Sequence, residues 1–288
     1  MGLPVRYGVV LFTSDRGITP AHAAQAAEAA GFDSFAVPEH THIPVRRSAP
    51  HPGTGDGSLP DDRYLRVLDP WVSLATAASV TTSIRLATAV ALPAEHDPIS
   101  LAKTIASLDH LSGGRVTLGI GFGWNTDELA DHGVPAGERR TVAREHLEAM
   151  RALWSLDEAS YQGRFVSFGP SWAWPKPAQH AAGAQVPVLV GAGGTERTFR
   201  WIAQNADGWI TTPRDVGIEA RVAHLHELWR AAGREGLPTV AALAGRPDAS
   251  QLSSWADAGV TDAWFGLPDR TTEEVTAYLG KLAGRLGL

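Results

Sequence analysis

Three stretches of this 288-residue chain place reactive or ligand-cradling residue types close together. Glu39-His40-Thr41-His42 offers a carboxylate and two imidazoles within four residues. Imidazole moves protons near neutral pH, so Glu39 and His40 are candidates for proton transfer beside a substrate or cofactor. The alternate spacing of His40 and His42 also suits a pair of metal ligands, but the remaining strand ends supply no further convergent His or Asp. The same residues can simply form a polar rim. The second stretch, Gly191-Ala192-Gly193-Gly194-Thr195, reads as a glycine turn opening a helix, where free amides and the helix dipole suit a phosphate. Its spacing is not the dinucleotide pattern G-x-G-x-x-G. The third is Gly119-Ile120-Gly121-Phe122-Gly123-Trp124, whose glycines leave backbone room for a planar ring next to Trp124.

The elements that must position these residues alternate regularly. Arg6 to Thr13, Ser34 to Pro38, Ile84 to Leu92, Val116 to Gly121, Val186 to Val190, Gly208 to Thr211, Thr239 to Ala244 and Asp262 to Leu267 read as strands. Between them lie helical segments such as Leu101 to Ser112, capped by Asp97-Pro98 and stopped by Gly113-Gly114. In the helix from Glu138 to Trp154, Val142, Leu147, Met150 and Trp154 share one face. Helices are also expected from Thr19, Asp69, Thr195, Val216, Ala249 and Thr271. Eight β-α units in strict order point to a single α/β domain over residues 1–288, a (β/α)₈ TIM barrel, with an open doubly wound sheet as the alternative. Two insertions interrupt it. The first, Ile43 to Tyr64, is rich in Pro and Gly and follows strand two, a position suited to a lid. The second runs from Ser160 to Gln185, before strand five, and carries Trp172 and Trp174 either at the barrel mouth or in a packed loop.

Composition narrows the function classes. A net charge of −6 argues against a nucleic-acid or anionic-membrane surface. The chain has no cysteine, so thiolate catalysis, disulfides and cysteine-bound metals are excluded. Its three lysines, Lys103, Lys176 and Lys281, disfavour a lysine-rich grip on a strongly anionic substrate. No 18-residue apolar run is present, and Met1 to Arg6 leads into the first strand without the apolar segment of a leader, so a cytoplasmic protein is expected.

Leu108-Asp109-His110-Leu111-Ser112-Gly113-Gly114-Arg115, followed by Leu118-Gly119-Ile120-Gly121-Phe122-Gly123-Trp124-Asn125, strongly resembles the luciferase-like monooxygenase superfamily. Glu39 to Pro44, Val188 to Gly191 with Gly193-Gly194, and Ala206 to Trp209 are similar to its coenzyme F420-dependent oxidoreductase branch. The resemblance spans Val5 to Thr212 and implies a barrel, commonly a homodimer, with the deazaflavin across the C-terminal face. It implies a cis peptide at Ala89–Val90 on the third strand, with Thr88, Ala89 and Val90 behind the cofactor ring and Gly121 and Trp124 beside it. It gives the phosphate to Gly191, Gly193, Gly194 and Thr195, and the redox-carbon pair to Glu39 and His40. One departure stands out: sugar-phosphate dehydrogenases of the branch carry a glutamate where this chain has Trp124. The expected activity is hydride transfer between F420 and a small, uncharged or aromatic-compatible organic substrate. The alternatives are an FMN-dependent monooxygenase using reduced flavin and oxygen, a non-catalytic cofactor- or ligand-binding barrel, and a metal hydrolase.

Overall fold

A computed structural model describes residues 5–245 and 247–288. Met1 to Pro4, four of the six residues of the N-terminal stretch read above as free of a leader, lie outside the described residues. The order is β1 (Arg6–Leu11), α1 (Pro20–Ala29), β2 (Ser34–Val37), α2 (Pro70–Val80), β3 (Arg85–Thr88), α3 (Pro98–Ser112) and β4 (Val116–Ile120). There follow α4 (Thr126–Asp131), α5 (Arg139–Ser155), β5 (Ala159–Gln162), β6 (Ser167–Ser171) and α6 (Ala178–Ala181). The last part holds β7 (Val188–Gly191), α7 (Glu196–Asn205), β8 (Gly208–Ile210), α8 (Ile218–Ala231), β9 (Thr239–Ala244), α9 (Ala249–Ala258), β10 (Asp262–Leu267) and α10 (Thr272–Leu286).

Eight parallel strands close in the order β1-β10-β9-β8-β7-β4-β3-β2, a (β/α)₈ barrel rather than an open sheet. Closure leaves no sheet edge, so the strands are covered by helices outside and by each other's side chains inside. The interior is filled by Ala36, Ala87, Leu189, Ile210, Ala241 and Trp264, while a larger apolar shell sits between strands and helices. Local signals set the helix ends. Asp97 caps α3 by accepting from the Ser100 amide at 2.8 Å, and Gly113 ends it with φ +73°. Val142, Leu147, Met150 and Trp154 are all buried, as the stripe on α5 requires.

Several features differ from the sequence reading, among them the short helix α4, which no pattern announced. β3 ends at Thr88 rather than running to Leu92; past it the Ala89 amide still donates to the Val37 carbonyl at 2.7 Å and the Glu39 amide to the Val90 carbonyl at 3.1 Å, the Ala89–Val90 peptide is cis, and one Ala91–Ile120 bridge joins β4. The insertion before β7 is not a plain loop: β5 and β6 pair antiparallel as a hairpin outside the barrel. Trp172 and Trp174 neither reach the barrel mouth nor pack inward. They are 80% and 58% exposed on the outer wall beside α3, where the Lys103 ammonium donates to the Trp174 carbonyl.

Candidate active site

A cavity of about 520 Å³ opens at the C-terminal ends of β2, β3, β4, β7 and β8, a volume suited to a cofactor-sized ligand. Its floor is built by subtraction. A Cβ on Gly121 would lie 2.6 Å from a Val90 methyl, and one on Gly191 only 2.4 Å from the other, so the two glycines admit the Val90 side chain between β4 and β7. The result is a slot with Ala89 and Val90 as one wall and Gly121 to Trp124 along its side. Thr88 lies behind this wall, buried, its hydroxyl donating to the Gly119 carbonyl at 2.7 Å. It supports the slot without lining it.

The Glu-His-Thr-His run leaves the barrel just past β2, and its side chains diverge. Glu39 is buried. One carboxylate oxygen accepts the Leu92 amide at 2.5 Å, and the other meets His96 Nε2 at 2.7 Å. Burial pulls the His96 imidazole down, but the bond to Glu39 and its charge offset this, and the His96 pKa is raised. Glu39 therefore fixes the segment after β3 while presenting part of its surface to the cavity. His40 faces the cavity. Its Nδ1 meets Glu128 Oε2 at 2.8 Å, and Trp124 Nε1 donates to its Nε2 at 3.4 Å. Glu128, fully buried, also accepts from the Thr41 amide at 3.0 Å and the Asn125 side chain at 3.3 Å. The carboxylate on Nδ1 holds a proton there, and Nε2, which accepts from Trp124, is left toward the cavity. His42 points outward, its Nε2 on Asp131 at 2.9 Å. The two histidines of the run are thus engaged on opposite sides of the chain, and among the described residues no group of three or more His, Asp or Glu is arranged to hold a metal ion.

The insertion after β2 forms the cavity's roof, with His51, Pro52, Gly53 and Tyr64 lining it. Asp127 at the start of α4 holds the insertion by accepting from the Ser48 and Ala49 amides at 2.8 and 3.2 Å. His51 sits edge-on to Trp124 at 4.8 Å and to Tyr64 at 5.0 Å, so an aromatic wall of Tyr64, His51 and Trp124 surrounds His40. Burial, with the nearby His40, Arg214 and Arg47, lowers the His51 pKa and keeps that ring neutral.

The glycine turn after β7 is only partly available to a ligand. Gly191 and Gly193 line the cavity, but the Gly194 amide donates to Asp215 at 2.8 Å and Thr195 caps α7 through Thr198. Two cations that the sequence reading missed share the cavity with the turn. Arg139 and Arg140 open α5 and line the same cavity, and the Arg139 Nε and Arg140 Nη1 atoms are buried without a partner. Arg140 lies 4.1 Å over the Phe122 ring and has no carboxylate beside it. Burial, then Arg197 and Arg139, push its pKa down to about 10. A lone Arg-Arg pair at a helix start carries no motif; only the fold brings it to the cavity that Gly193 also lines. Unpaired guanidinium donors, two open glycines and an apolar slot fit a flat ring with an anionic tail.

Fold and pocket together define a (β/α)₈ barrel with a cofactor-sized cavity at the C-terminal ends of its strands. The chain belongs to the luciferase-like monooxygenase family, whose profile matches residues 20–278. An uncharacterized protein of Mycobacterium tuberculosis (strain ATCC 25618 / H37Rv) is 65% identical over 282 residues, 98% of this chain and 99% of its own. The F420-dependent hydroxymycolic acid dehydrogenase of the same strain is 31% identical over 235 residues, 79% of this chain and 58% of its own. Among solved structures, an F420-dependent secondary alcohol dehydrogenase in complex with an F420-acetone adduct superposes with a TM-score of 0.73 at 16% identity, covering 98% of both chains. The oxygenating constituent of 3,6-diketocamphane monooxygenase from Pseudomonas putida, in complex with FMN, has a TM-score of 0.66 at 18% identity, covering 83% of this chain and 66% of its own. Members that use F420 and members that use flavin thus share this fold.

Proposed function

We propose that the protein is a coenzyme F420-dependent oxidoreductase that transfers a hydride between the deazaflavin and a small organic substrate. The observation that carries the reading is His40, held by a buried Glu128 with its second nitrogen facing a slot that ends in unpaired arginine donors. When bound, the deazaflavin supplies the hydride chemistry. Ala89, Val90, Gly121 and Trp124 shape the ring's slot, while Gly191, Gly193, Arg139 and Arg140 are positioned for its phosphate. Gly194 and Thr195 contribute by fixing that turn, with Asp215 and Thr198 as their partners. His40 Nε2 takes or gives the proton that accompanies the hydride on the substrate, and Glu39 holds the neighbouring backbone in place. The aromatic wall favours an uncharged or aromatic-compatible substrate.

The second reading, an FMN-dependent monooxygenase, is supported by the FMN-bound neighbour, and a non-catalytic ligand-binding barrel is the third. A substrate-independent titration with each cofactor separates the first two. His40→Ala tests the residue assignment: the variant should bind cofactor with unchanged affinity and lose turnover, and unchanged turnover would refute the role. We further propose a cytoplasmic homodimer. Exposed Trp172 and Trp174 on the outer wall are the apolar surface in favour of association, and light scattering reading a monomer would contradict it. No helix among the described residues is long and apolar enough to cross a membrane.

A further inference from the structure

The Thr-His half of the Glu-His-Thr-His run has no part in the cavity, yet it is connected to His40 without a break. Glu128, whose Oε2 holds His40 Nδ1 at 2.8 Å, has its other oxygen 3.4 Å from the Thr41 hydroxyl. That hydroxyl is a hub, 2.7 Å from His132 Nε2 and 3.0 Å from His42 Nδ1. His42 Nε2 continues to Asp131 at 2.9 Å, and these last two side chains are 42% and 60% exposed. His40 and Glu128, by contrast, are 8% and 0% exposed. The line therefore starts inside the cavity, passes behind its wall and ends in water on the outer surface between the start of the insertion and the end of α4. Glu95 flanks it, buried, with Oε2 at 3.9 Å from His132 and neither carboxyl oxygen hydrogen-bonded. His132 is kept neutral, its pKa lowered by burial and by His42, so its ring can accept a proton.

We propose that His40, Glu128, Thr41 and the pair His132 and His42 form a proton path that joins the cavity to solvent through the barrel wall. The inference rests on the proton-transfer role given above to His40. In the oxidising direction a substrate proton bonds to His40 Nε2 as the Nδ1–H bond breaks and its proton passes to Glu128 Oε2. After the carboxyl turns, Glu128 gives a proton to Thr41 Oγ1 while the Thr41 hydroxyl proton moves to His132 Nε2 or His42 Nδ1 and on to water. One proton enters and one leaves; no electrons move along the path, and the reverse sequence delivers a proton inward. Between turnovers His40 Nε2 releases its proton to water in the opened cavity while Nδ1 regains one from Glu128, supplied from the outer end of the path, and this restores the starting tautomer. The value of such a route is that it works while ligands and the insertion shut the cavity mouth. Thr41, His42 and His132 are then positioning and relay residues, since none of them lines the cavity.

The test needs neither cofactor nor substrate. In protein labelled with ¹⁵N-histidine, the exchange rate of the His40 Nδ1 proton with water is measured by saturation transfer. Thr41→Val, at an exposed position and nearly the same shape, should slow that exchange at least tenfold. The double variant His42→Ala/His132→Ala should slow it as well, and millimolar imidazole should restore the rate in the double variant but not in Thr41→Val. Equal rates in all three proteins, or restoration of Thr41→Val by imidazole, would overturn the path. Should Thr41→Val fail to fold, the imidazole response of the double variant decides alone. Because no cofactor is present, a failed F420 titration would refute the proposed function and leave this result standing.

Discussion

Replacing Arg140 by Met should separate function from stability by the size of the two effects. The guanidinium lies in the cavity over Phe122 with no carboxylate partner, and burial with Arg197 and Arg139 lowers its pKa to about 10. That lowering corresponds to about 3 kcal/mol at full burial, and since the group is only half-buried the cost of the charge, discounted for solvent screening, is on the order of 1 kcal/mol. Removing the charge recovers this, while losing the stack on Phe122 costs about 0.5 to 1 kcal/mol. The two nearly cancel, so thermal unfolding should move by no more than about 3 °C. Affinity for a phosphate-bearing cofactor should respond differently. A charge-assisted hydrogen bond to a phosphate oxygen is worth about 1.5 to 3 kcal/mol, which is a loss of roughly 10- to 150-fold in Kd. The assay is quenching of tryptophan fluorescence during titration with F420, beside a melting curve of the free protein. A drop of more than about 5 °C with unchanged Kd would show that Arg140 is a packing residue and would refute its assignment to the cofactor tail.

Other expectations follow from the same geometry. Gly191→Ala places a methyl 2.4 Å from Val90, so it should displace that side chain into the slot and weaken cofactor binding at least tenfold, read by the same titration. Trp124→Phe removes the indole beside the slot and the donor to His40 Nε2, and should lose a large share of the fluorescence quenching on cofactor binding; full quenching in the variant would place the ring elsewhere. Glu95 gives a pH dependence. Burial, then Glu128 and Glu39, raise its pKa from 4.5 to about 9, so the folded protein holds a proton that the unfolded chain releases. Its contribution to stability therefore falls as pH rises from about 4.5 to about 9, by at most roughly 1.4 kcal/mol per pH unit. Glu95→Gln, neutral throughout, should flatten the stability profile across that window. A profile that stays parallel to the parent's would show that Glu95 is ionised in the fold.

Much of the barrel is legible in the sequence because its signals are local. Asp97-Pro98, Gly113 and Thr271 mark helix ends by capping chemistry alone, and the eight strands follow from apolar runs between them. The limits of β3 are less local, since its end depends on how Ala89 and Val90 meet β2 and β4 across the barrel. The hairpin of β5 and β6 also escapes pattern reading: β5 alternates but is only four residues long, and β6 exposes four of its five residues. The site divides the same way. His40, Gly121 and Gly191 sit at strand ends and announce themselves by residue type. Glu128 and the arginines of α5 lie far along the chain, 88 residues from His40 in the first case, and only closure of the barrel makes them neighbours. Glu39 reads in sequence as a candidate for proton transfer beside His40. Its bonds to Leu92 and His96 show that it anchors the turn after β3.

The central claim, an F420 site, is tested most directly by equilibrium titration of the free protein with oxidised F420 and, separately, with FMN. Saturable quenching by F420 at micromolar or lower concentration, with FMN binding weaker, is the predicted result. Submicromolar FMN binding with none for the deazaflavin would contradict it and make the protein a flavin enzyme of the same family.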